Sequence, residues 1–317
     1  MPDRRVFLSS AALLTTGARA NAWPTRPVRL IVAYPPGGLS DETARGLGRA
    51  LSLEWGVPVV VENRAGAGGA AAMTELARAA PDGYTLCWCA ISPLVYAPLL
   101  GPLGYDPERD VAPVVAVMHT PVLVLAHPAF KPATLAEVVA HARAAPGSVR
   151  WATSGLATVG HMVLEQVRLA SGADITHVPY KGGGQQLNDA LGGQFELLSS
   201  NVADLQLQYV RQGRLKALVV GAPQRVSALP SVPTLAEAGF AAANLESTFG
   251  LFAPRGTPAA VVGRINRDLN ALLQQPELRT RLAAANNRIG GGSAADFSQQ
   301  IAAARTASAR LLERAPR

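Results

Sequence analysis

Short runs of valine, isoleucine and leucine alternate with stretches of helical periodicity along nearly the whole chain, and this alternation constrains the fold more than any other feature. Strand-like runs fall at 28–33, 57–61, 84–90, 113–117, 122–126, 149–152, 175–178, 195–199, 215–220 and 248–253. Helical patterns lie among them at 40–54, 69–79, 134–144, 159–171, 183–192, 203–212, 258–274, 276–285 and 294–313. Repeated strand-then-helix units predict an α/β architecture with mostly parallel sheets, and they fit neither a repeat protein nor a disordered chain.

The first unit contains LIVAYPPGGLSDETARGLGRAL, residues 30–51. Its apolar run is stopped by Pro35, Pro36, Gly37 and Gly38, residues that cannot continue a ladder or that admit unusual backbone angles. Ser40 suits a helix start, Asp41 and Glu42 suit the first turn, and Ala44, Leu47 and Leu51 recur at helical spacing. Unpaired N–H groups at such a start favour an anion such as a carboxylate. Taken alone, the loop reads equally well as an ordinary βα connection.

The same grammar returns in RWATSGLATVGHMVLEQV, residues 150–167, where a strand runs through Thr153, Ser154 and Gly155 into a helix beginning near Thr158. Backbone amides and the hydroxyls of Thr153, Ser154 and Thr158 are donors suited to carboxylate oxygens. His161, one turn into that helix, either faces a cleft or packs against the sheet, and its spacing favours packing. The two loops, Pro36-Gly37-Gly38 and Thr153-Ser154-Gly155, are expected to face one another and to hold one ligand carboxylate.

The N-terminal MPDRRVFLSSAALLTTGARANA has a basic start, an apolar middle and a small-residue end, the pattern of a secretory signal over residues 1–22. Arg4-Arg5-Val6-Phe7-Leu8 fits a twin-arginine core while Asp3 and Ser9 depart from its usual flanks, so export is expected without its route. Ala20-Asn21-Ala22 offers a cleavage site, with Ala18-Arg19-Ala20 as the alternative. Cleavage after Ala22 leaves 295 of the 317 residues, enough for two domains on a prior of ~150 residues each. No later stretch reaches ~18 uninterrupted apolar residues, so a membrane-spanning mature chain is not expected.

Loss of Arg4, Arg5, Arg19 and Asp3 lowers the formal charge from +7 to +5, a mild excess borne by scattered residues. With no long basic run and few aromatics, nucleic-acid binding is not expected, whereas attraction of small acids is compatible with this charge. Cys87 and Cys89 lie on one face of a strand-like run, where a disulfide between them is strained and no His or carboxylate cluster accompanies them; they read as core thiols.

Two stretches can carry the chain between domains. MHTPVLVLAHPAFKP, residues 118–132, has prolines at both ends of an apolar strand, and the region around 240–250 offers a return crossing before the C-terminal helices. The expected division is 1–22 as signal peptide, 23–121 with 247–317 as one discontinuous domain, and 122–246 as the other, leaving a cleft that closes on a ligand above hinge strands.

Seven segments, in order, carry a family resemblance: WPTRPVRLIVAYPPGGLSD, VVENRAGAGGAAA, APDGYTL, TSGLATVGHMVLE, VPYKGGGQQLNDALGGQFE, GRLKALVVGAPQRVSALPSVPTLAEAG and GLFAPRGTP. The chain resembles the periplasmic solute receptors of tripartite tricarboxylate transporters, also called Bug receptors, from Trp23 to beyond Pro258. The resemblance implies a type II periplasmic-binding-protein fold, two α/β domains around a cleft, a small organic carboxylate as ligand, membrane permease subunits as partners, a monomer, and no catalytic cofactor. It places the family's carboxylate clamp on Tyr34, Pro36, Gly37, Gly38, Leu39, Ser40 and Asp41, and on Thr153, Ser154, Gly155 and Thr158, with His161 beside them. Ala157 stands where the family often has glycine, Ser200 stands where aspartate is common before Asn201, and CAISPLVY departs from a more polar version, leaving Ser92 as a contact. Tyr180 and Lys181 line the cleft in this reading, or otherwise form a strand end with a solvated lysine.

Two other functions find partial motifs in the sequence. VPVVVENRAGAGGAAA places Gly66, Gly68 and Ala71 after a strand in the manner of a dinucleotide fingerprint, but the next strand ends at Cys89 and Ala90 without the acid that meets a ribose. Arg64 and the glycines 66–69 then either border the cleft or form a structural loop. A serine hydrolase using Ser154 and His161 lacks a G-x-S-x-G elbow and a clear orienting acid, so a non-enzymatic role is expected.

Overall fold

The computed structural model describes residues 23–313, and the expected signal peptide lies outside the described residues. The chain runs through β1 (Val28–Val32), α1 (Leu39–Trp55), β2 (Val59–Asn63), α2 (Ala70–Ala77), β3 (Thr85–Ala90), and the one-turn helices α3 (Ser92–Val95) and α4 (Ala97–Leu100). It continues through β4 (Val111–Ala126), α5 (Leu135–Ala144), β5 (Val149–Thr153), α6 (Val159–Ser171), β6 (Ile175–Pro179), α7 (Gly183–Leu191), β7 (Leu197–Asn201), α8 (Asp204–Arg211) and β8 (Lys216–Gly221). The last part comprises β9 (Glu246–Pro254), α9 (Ala259–Leu273), α10 (Pro276–Ala284), β10 (Arg288–Ile289) and α11 (Ala294–Glu313).

Two sheets form, joined through one strand. The first runs β2-β1-β3-β9-β4, with β10 on the far side of β4. The second runs β6-β5-β7-β4, with β8 also on β4. Residues 111–121 of β4 pair with β9, and residues 122–126 pair with β7 and β8. At the change of partner stands Pro121, which has no N–H to give a ladder and whose carbonyl accepts from Val202 N at 2.9 Å. The chain returns at Glu246, opposite Pro121.

The sequence expectation of two separate strands at 113–117 and 122–126 is corrected to one 16-residue strand. Pro113 and Pro121 interrupt hydrogen bonding without ending it: a register shift follows Pro113, and a new sheet begins after Pro121. The mostly parallel sheets are also corrected. β1, β2, β3 and β5, β6, β7 are parallel sets, but β9 and β4 run antiparallel to their neighbours because the two crossing segments travel in opposite directions.

Both faces of each sheet are covered, which is why the strands lack polar alternation. In β1, Val28, Leu30 and Val32 pack under α1 and α9 with Trp88, while Ile31 faces the opposite cluster with Cys87, Cys89 and Met73. Both cysteines are buried and free, as core thiols. In β4, Leu123 and Leu125 face Leu187 and Leu207, whereas Val122 and Val124 face Trp151 and Val163. The central strands β1, β3, β4, β5, β7 and β9 are therefore fixed from both sides, and the loops that follow are held where their ends meet.

Candidate ligand-binding site

An inner chamber of about 30 Å³ lies where the ends of β1, β3, β5, β7 and β9 converge, and a broad outer cleft of about 1280 Å³ opens beyond it. The chamber is lined by Tyr34, Ser92, Ser154, Thr158, Val159, Gly160, Ser200, Asn201, Ser247 and Phe249, among others, and none of its lining residues is charged. The outer cleft adds Pro36, Gly37, Gly38, Leu39, Ser40 and Lys181, together with Glu42, Arg45, Arg49, Asp189, Asp204 and Arg281. At roughly 10–15 Å³ of such space per water, the chamber has room for about two waters or one end of a small ligand.

The loop before α1 is shaped by Asp41. Gly37 takes φ +83°, a conformation that favours glycine, and its N–H donates to Asp41 Oδ2 at 3.0 Å. Arg45 Nε donates to the same oxygen at 3.0 Å, and Asn63 Nδ2 donates to Oδ1 at 2.8 Å. The N-cap residue is Gly38, which contributes no side-chain cap. Glu42 N donates to Gly38 O at 3.0 Å, and among the described residues the amides of Leu39, Ser40 and Asp41 meet no acceptor. Trp88 Nε1 donates to Ser40 Oγ at 2.8 Å, so the Ser40 hydroxyl proton is left to point elsewhere.

The loop before α6 is built differently. Thr158 caps the helix by accepting from His161 N at 3.3 Å while donating to Gly155 O at 2.8 Å. Among the described residues, the amides of Val159 and Gly160 meet no acceptor. Gly160 also allows the helix start to sit on β7, since a β-carbon there would lie 2.9 Å from Ser199 Cβ. Ala157 takes φ +56°, so the alanine found where the resemblance implies glycine occupies a left-handed conformation costing roughly 1–2 kcal/mol.

Tyr34 reaches the chamber from the end of β1. Its hydroxyl accepts from Ala90 N at 3.3 Å, and its ring lies 5.8 Å from Phe249, which stacks on Trp88. Burial, followed by the neighbouring Cys89, pushes the Tyr34 phenol well above its ordinary 10.0, so it remains a donor. Ser154 and Ser92 also line the chamber, and their hydroxyls have no partner among the described residues.

Of the residues singled out from sequence, Tyr34, Ser92, Ser154, Thr158, Ser200 and Asn201 line the chamber, and Pro36, Gly37, Gly38, Leu39, Ser40 and Lys181 line the outer cleft. Asp41, Thr153, Gly155, His161 and Tyr180 line neither. Thr153 Oγ1 is held by His177 Nε2 at 2.7 Å and by Gly155 O at 3.1 Å. His161 Nδ1 accepts from Ala157 N at 3.2 Å, its ring stacks on His177 at 4.2 Å, and its Nε2 lies 3.5 Å from Glu165. Tyr180 donates to Asp189 Oδ2 at 2.7 Å.

Pro36, Gly37 and Gly38 of the first loop and Ser154 of the second line the same outer cleft. Pro35 lies against Gly182, whose added β-carbon would sit 2.6 Å from Pro35 Cδ, and Leu156 lies against Gly68. The loop 66–69 is thus a structural support: a β-carbon on Gly68 would come within 2.2 Å of Leu156 O, and one on Gly69 within 2.8 Å of Cys89 Sγ. Arg64 pairs with Glu62 and Glu75. Sequence reasoning missed Phe249, Ser247 and Gln206; Gln206 had a readable signal, an amide beside Leu207 on the buried face of α8.

Burial pushes the Asp41 carboxyl up, but hydrogen bonds from Arg45, Asn63 and Gly37 N outweigh this and hold it below its ordinary 3.8. A depressed carboxylate contributes stability that is complete above about pH 4 and is lost as pH falls through the lower folded-state value. Asp41→Asn is therefore expected to cost about 1–3 kcal/mol at pH 7 and to flatten the acid limb of the stability profile, measured by urea unfolding across pH. A variant with wild-type stability and an unchanged acid limb contradicts this role.

Comparison with known proteins places the chain in a family. Protein BugT of Bordetella pertussis is 36% identical over 281 residues, spanning 88% of this chain and 86% of BugT. R. palustris Rpa4515, solved with adipate, superimposes at a TM-score of 0.84 with 31% identity, covering 92% of this chain and 97% of that one. MatC from Rhodopseudomonas palustris, solved with bound malate, gives a TM-score of 0.84 with 31% identity, covering 90% of this chain and 98% of that one. A family model described as "Tripartite tricarboxylate transporter family receptor" matches residues 43–315, and the chain belongs to this family of Bug-type periplasmic solute receptors.

Proposed function

We propose that this receptor holds one carboxylate of a small organic acid where the inner chamber opens to the outer cleft, between the N-termini of α1 and α6, and presents the acid to a membrane permease of the tripartite tricarboxylate type. The observation that carries the reading is the pair of helix starts with open amides beside a chamber lined by neutral groups. Each helix dipole favours a nearby anion by about 0.3–1 kcal/mol, and by ~2 kcal/mol in partly buried geometry. Ser154 and Tyr34 add hydroxyl donors, and charge-assisted hydrogen bonds of this kind are worth about 1.5–3 kcal/mol each. Adipate and malate in the related structures support a small acid as the ligand class.

The same geometry argues against catalysis and against a dinucleotide. The His161 Nδ1 lone pair is taken by Ala157 N, so it does not activate Ser154. The glycines of the 66–69 loop pack against Leu156 and Cys89, which leaves no space for a pyrophosphate there. Residues 1–22 act as the export signal in this reading, and the mature receptor works as a monomer.

We divide the mature chain at the two crossings into one lobe of 23–121 and 247–317 and another of 122–246, with β4 and the start of β9 as hinge. Contacts of Pro35 with Gly182 and of Leu156 with Gly68 bring the lobes together on the rim of the cleft, which supports closure around a ligand. Small-angle scattering of the mature chain is expected to show a smaller radius of gyration at saturating acid. An identical profile with and without the acid contradicts a large closure.

A thermal-shift screen against short mono- and dicarboxylates is expected to raise Tm for at least one acid and for no dinucleotide, by mass action on the native state. Ser154→Ala is then expected to weaken the responding acid by about 0.5–3 kcal/mol in calorimetry, with Tm of the ligand-free variant little changed. A response to dinucleotides alone, or wild-type affinity in Ser154→Ala, contradicts the proposed site.

A further inference from the structure

The turn that leads into α6 is strained, and a side chain holds it. Ala157 has φ +56°, in the left-handed region where alanine is strained and glycine is at ease. Ala157 is also buried, so its N–H needs an acceptor inside the protein. That acceptor is His161 Nδ1, at 3.2 Å. The turn stands directly before Thr158, the cap, and before Val159 and Gly160, whose amides are open. Its backbone angles therefore set where those two amides point.

His161 is kept in the form that can accept. Its Nε2 faces Glu165 Oε1 at 3.5 Å, and because a carboxylate only accepts, the ring proton belongs on Nε2 and the Nδ1 lone pair is left for Ala157. His161, helped by Arg168 at 3.0 Å, holds the Glu165 carboxyl below its ordinary 4.5 against the opposing effect of burial. The His161 ring is buried and stacks on His177 of β6 at 4.2 Å, with 13° between the planes. Burial, followed by the neighbouring His161, pushes His177 down to about 4, so it is neutral at pH 7. His177 Nε2 meets Thr153 Oγ1 at 2.7 Å, and that hydroxyl bridges the N–H and the carbonyl of Gly155. The stacked imidazoles thus grip the loop at two places, 153–155 and 157.

We propose that His161 is a positioning residue for the carboxylate site: it holds Ala157 in its strained turn and so sets the direction of the Val159 and Gly160 amides. This rests on the reading that an acid's carboxylate meets the start of α6. With glycine at 157, the commoner residue in the family, the same angle needs no such hold, so the dependence on His161 follows from this chain's alanine. A His161 that only fills space between α6 and β6 contributes stability and leaves the affinity of the folded receptor alone.

Two amides divide the two ring nitrogens between them. Asn at 161 places its Oδ1 where Nδ1 stands, whereas Gln keeps a donor near Glu165 and offers Ala157 nothing. Calorimetry of the mature receptor at pH 7, well below Tm, uses straight-chain mono- and dicarboxylic acids of about three to eight carbons as probes. For an acid that binds, His161→Gln is expected to weaken affinity about tenfold, the factor one buried hydrogen bond supplies, and His161→Asn to stay within about threefold of wild type. In an Ala157→Gly background, His161→Gln should cost about threefold or less, because the turn no longer needs its acceptor. If His161→Gln does not fold alone, the Asn variant decides: an affinity more than about tenfold below wild type overturns the inference. Equal losses from His161→Gln in both backgrounds, an Asn variant no better than Gln, or a lowered Tm with wild-type affinity also overturns it, and the carboxylate site still stands where Ser154→Ala weakens the same acid. No binding by any acid of the series overturns the site and the inference together.

Discussion

The two sheets hang on one strand. Because residues 111–121 of β4 belong to one sheet and 122–126 to the other, any motion of the lobes must pass through the bond geometry around Pro121 and its partner Glu246 on β9. Pro121 suits this place because it owes no hydrogen bond to either ladder. The chamber lies directly above, where Asn201 of one lobe holds Ser247 of the other at 2.7 Å. A ligand touching both walls is therefore bound at the pivot, where small changes in contact act on the whole angle between lobes.

In the proposed site, recognition at this pivot relies on dipoles in place of fixed charge. The two open helix starts and the neutral hydroxyls of Tyr34 and Ser154 can hold a carboxylate without an arginine in the chamber. Asp41, buried behind the cleft in the first turn of α1, spends its charge on Arg45, Asn63 and the amide of Gly37. That arrangement fixes the loop while leaving the next three amides open. It also suits a carrier: a bidentate arginine pair would add affinity that must be given up again when the solute is handed on.

Much of this was legible in the sequence. The helix expected at 159–171 is found as Val159–Ser171, bounded by a Thr158 cap and a left-handed Gly172, and the C-terminal helix expected at 294–313 is found as Ala294–Glu313. Those limits are written in local chemistry. The continuity of β4 was not, because two prolines look like strand ends when the partners are unknown, and the antiparallel place of β9 depends on pairing across more than a hundred residues. At the site, spacing brought forward loops whose residues line the cavities, but it does not say which groups are already spent within the protein. Thr153 and Asp41 are engaged by His177 on β6 and by Asn63 on β2, and His161 packs on His177 as its spacing favours, none of which local sequence reveals before the partners are known.

The most direct test of a carboxylate held by two helix starts is a crystal structure of the mature receptor with an acid identified by thermal shift. The account predicts carboxylate oxygens within about 3 Å of, or one water away from, amides at 39–41 and 159–160, with Ser154 or Tyr34 as a further donor. A carboxylate resting instead on Arg49, Lys181 or Arg281 in the outer cleft, with the chamber filled only by water, would contradict it.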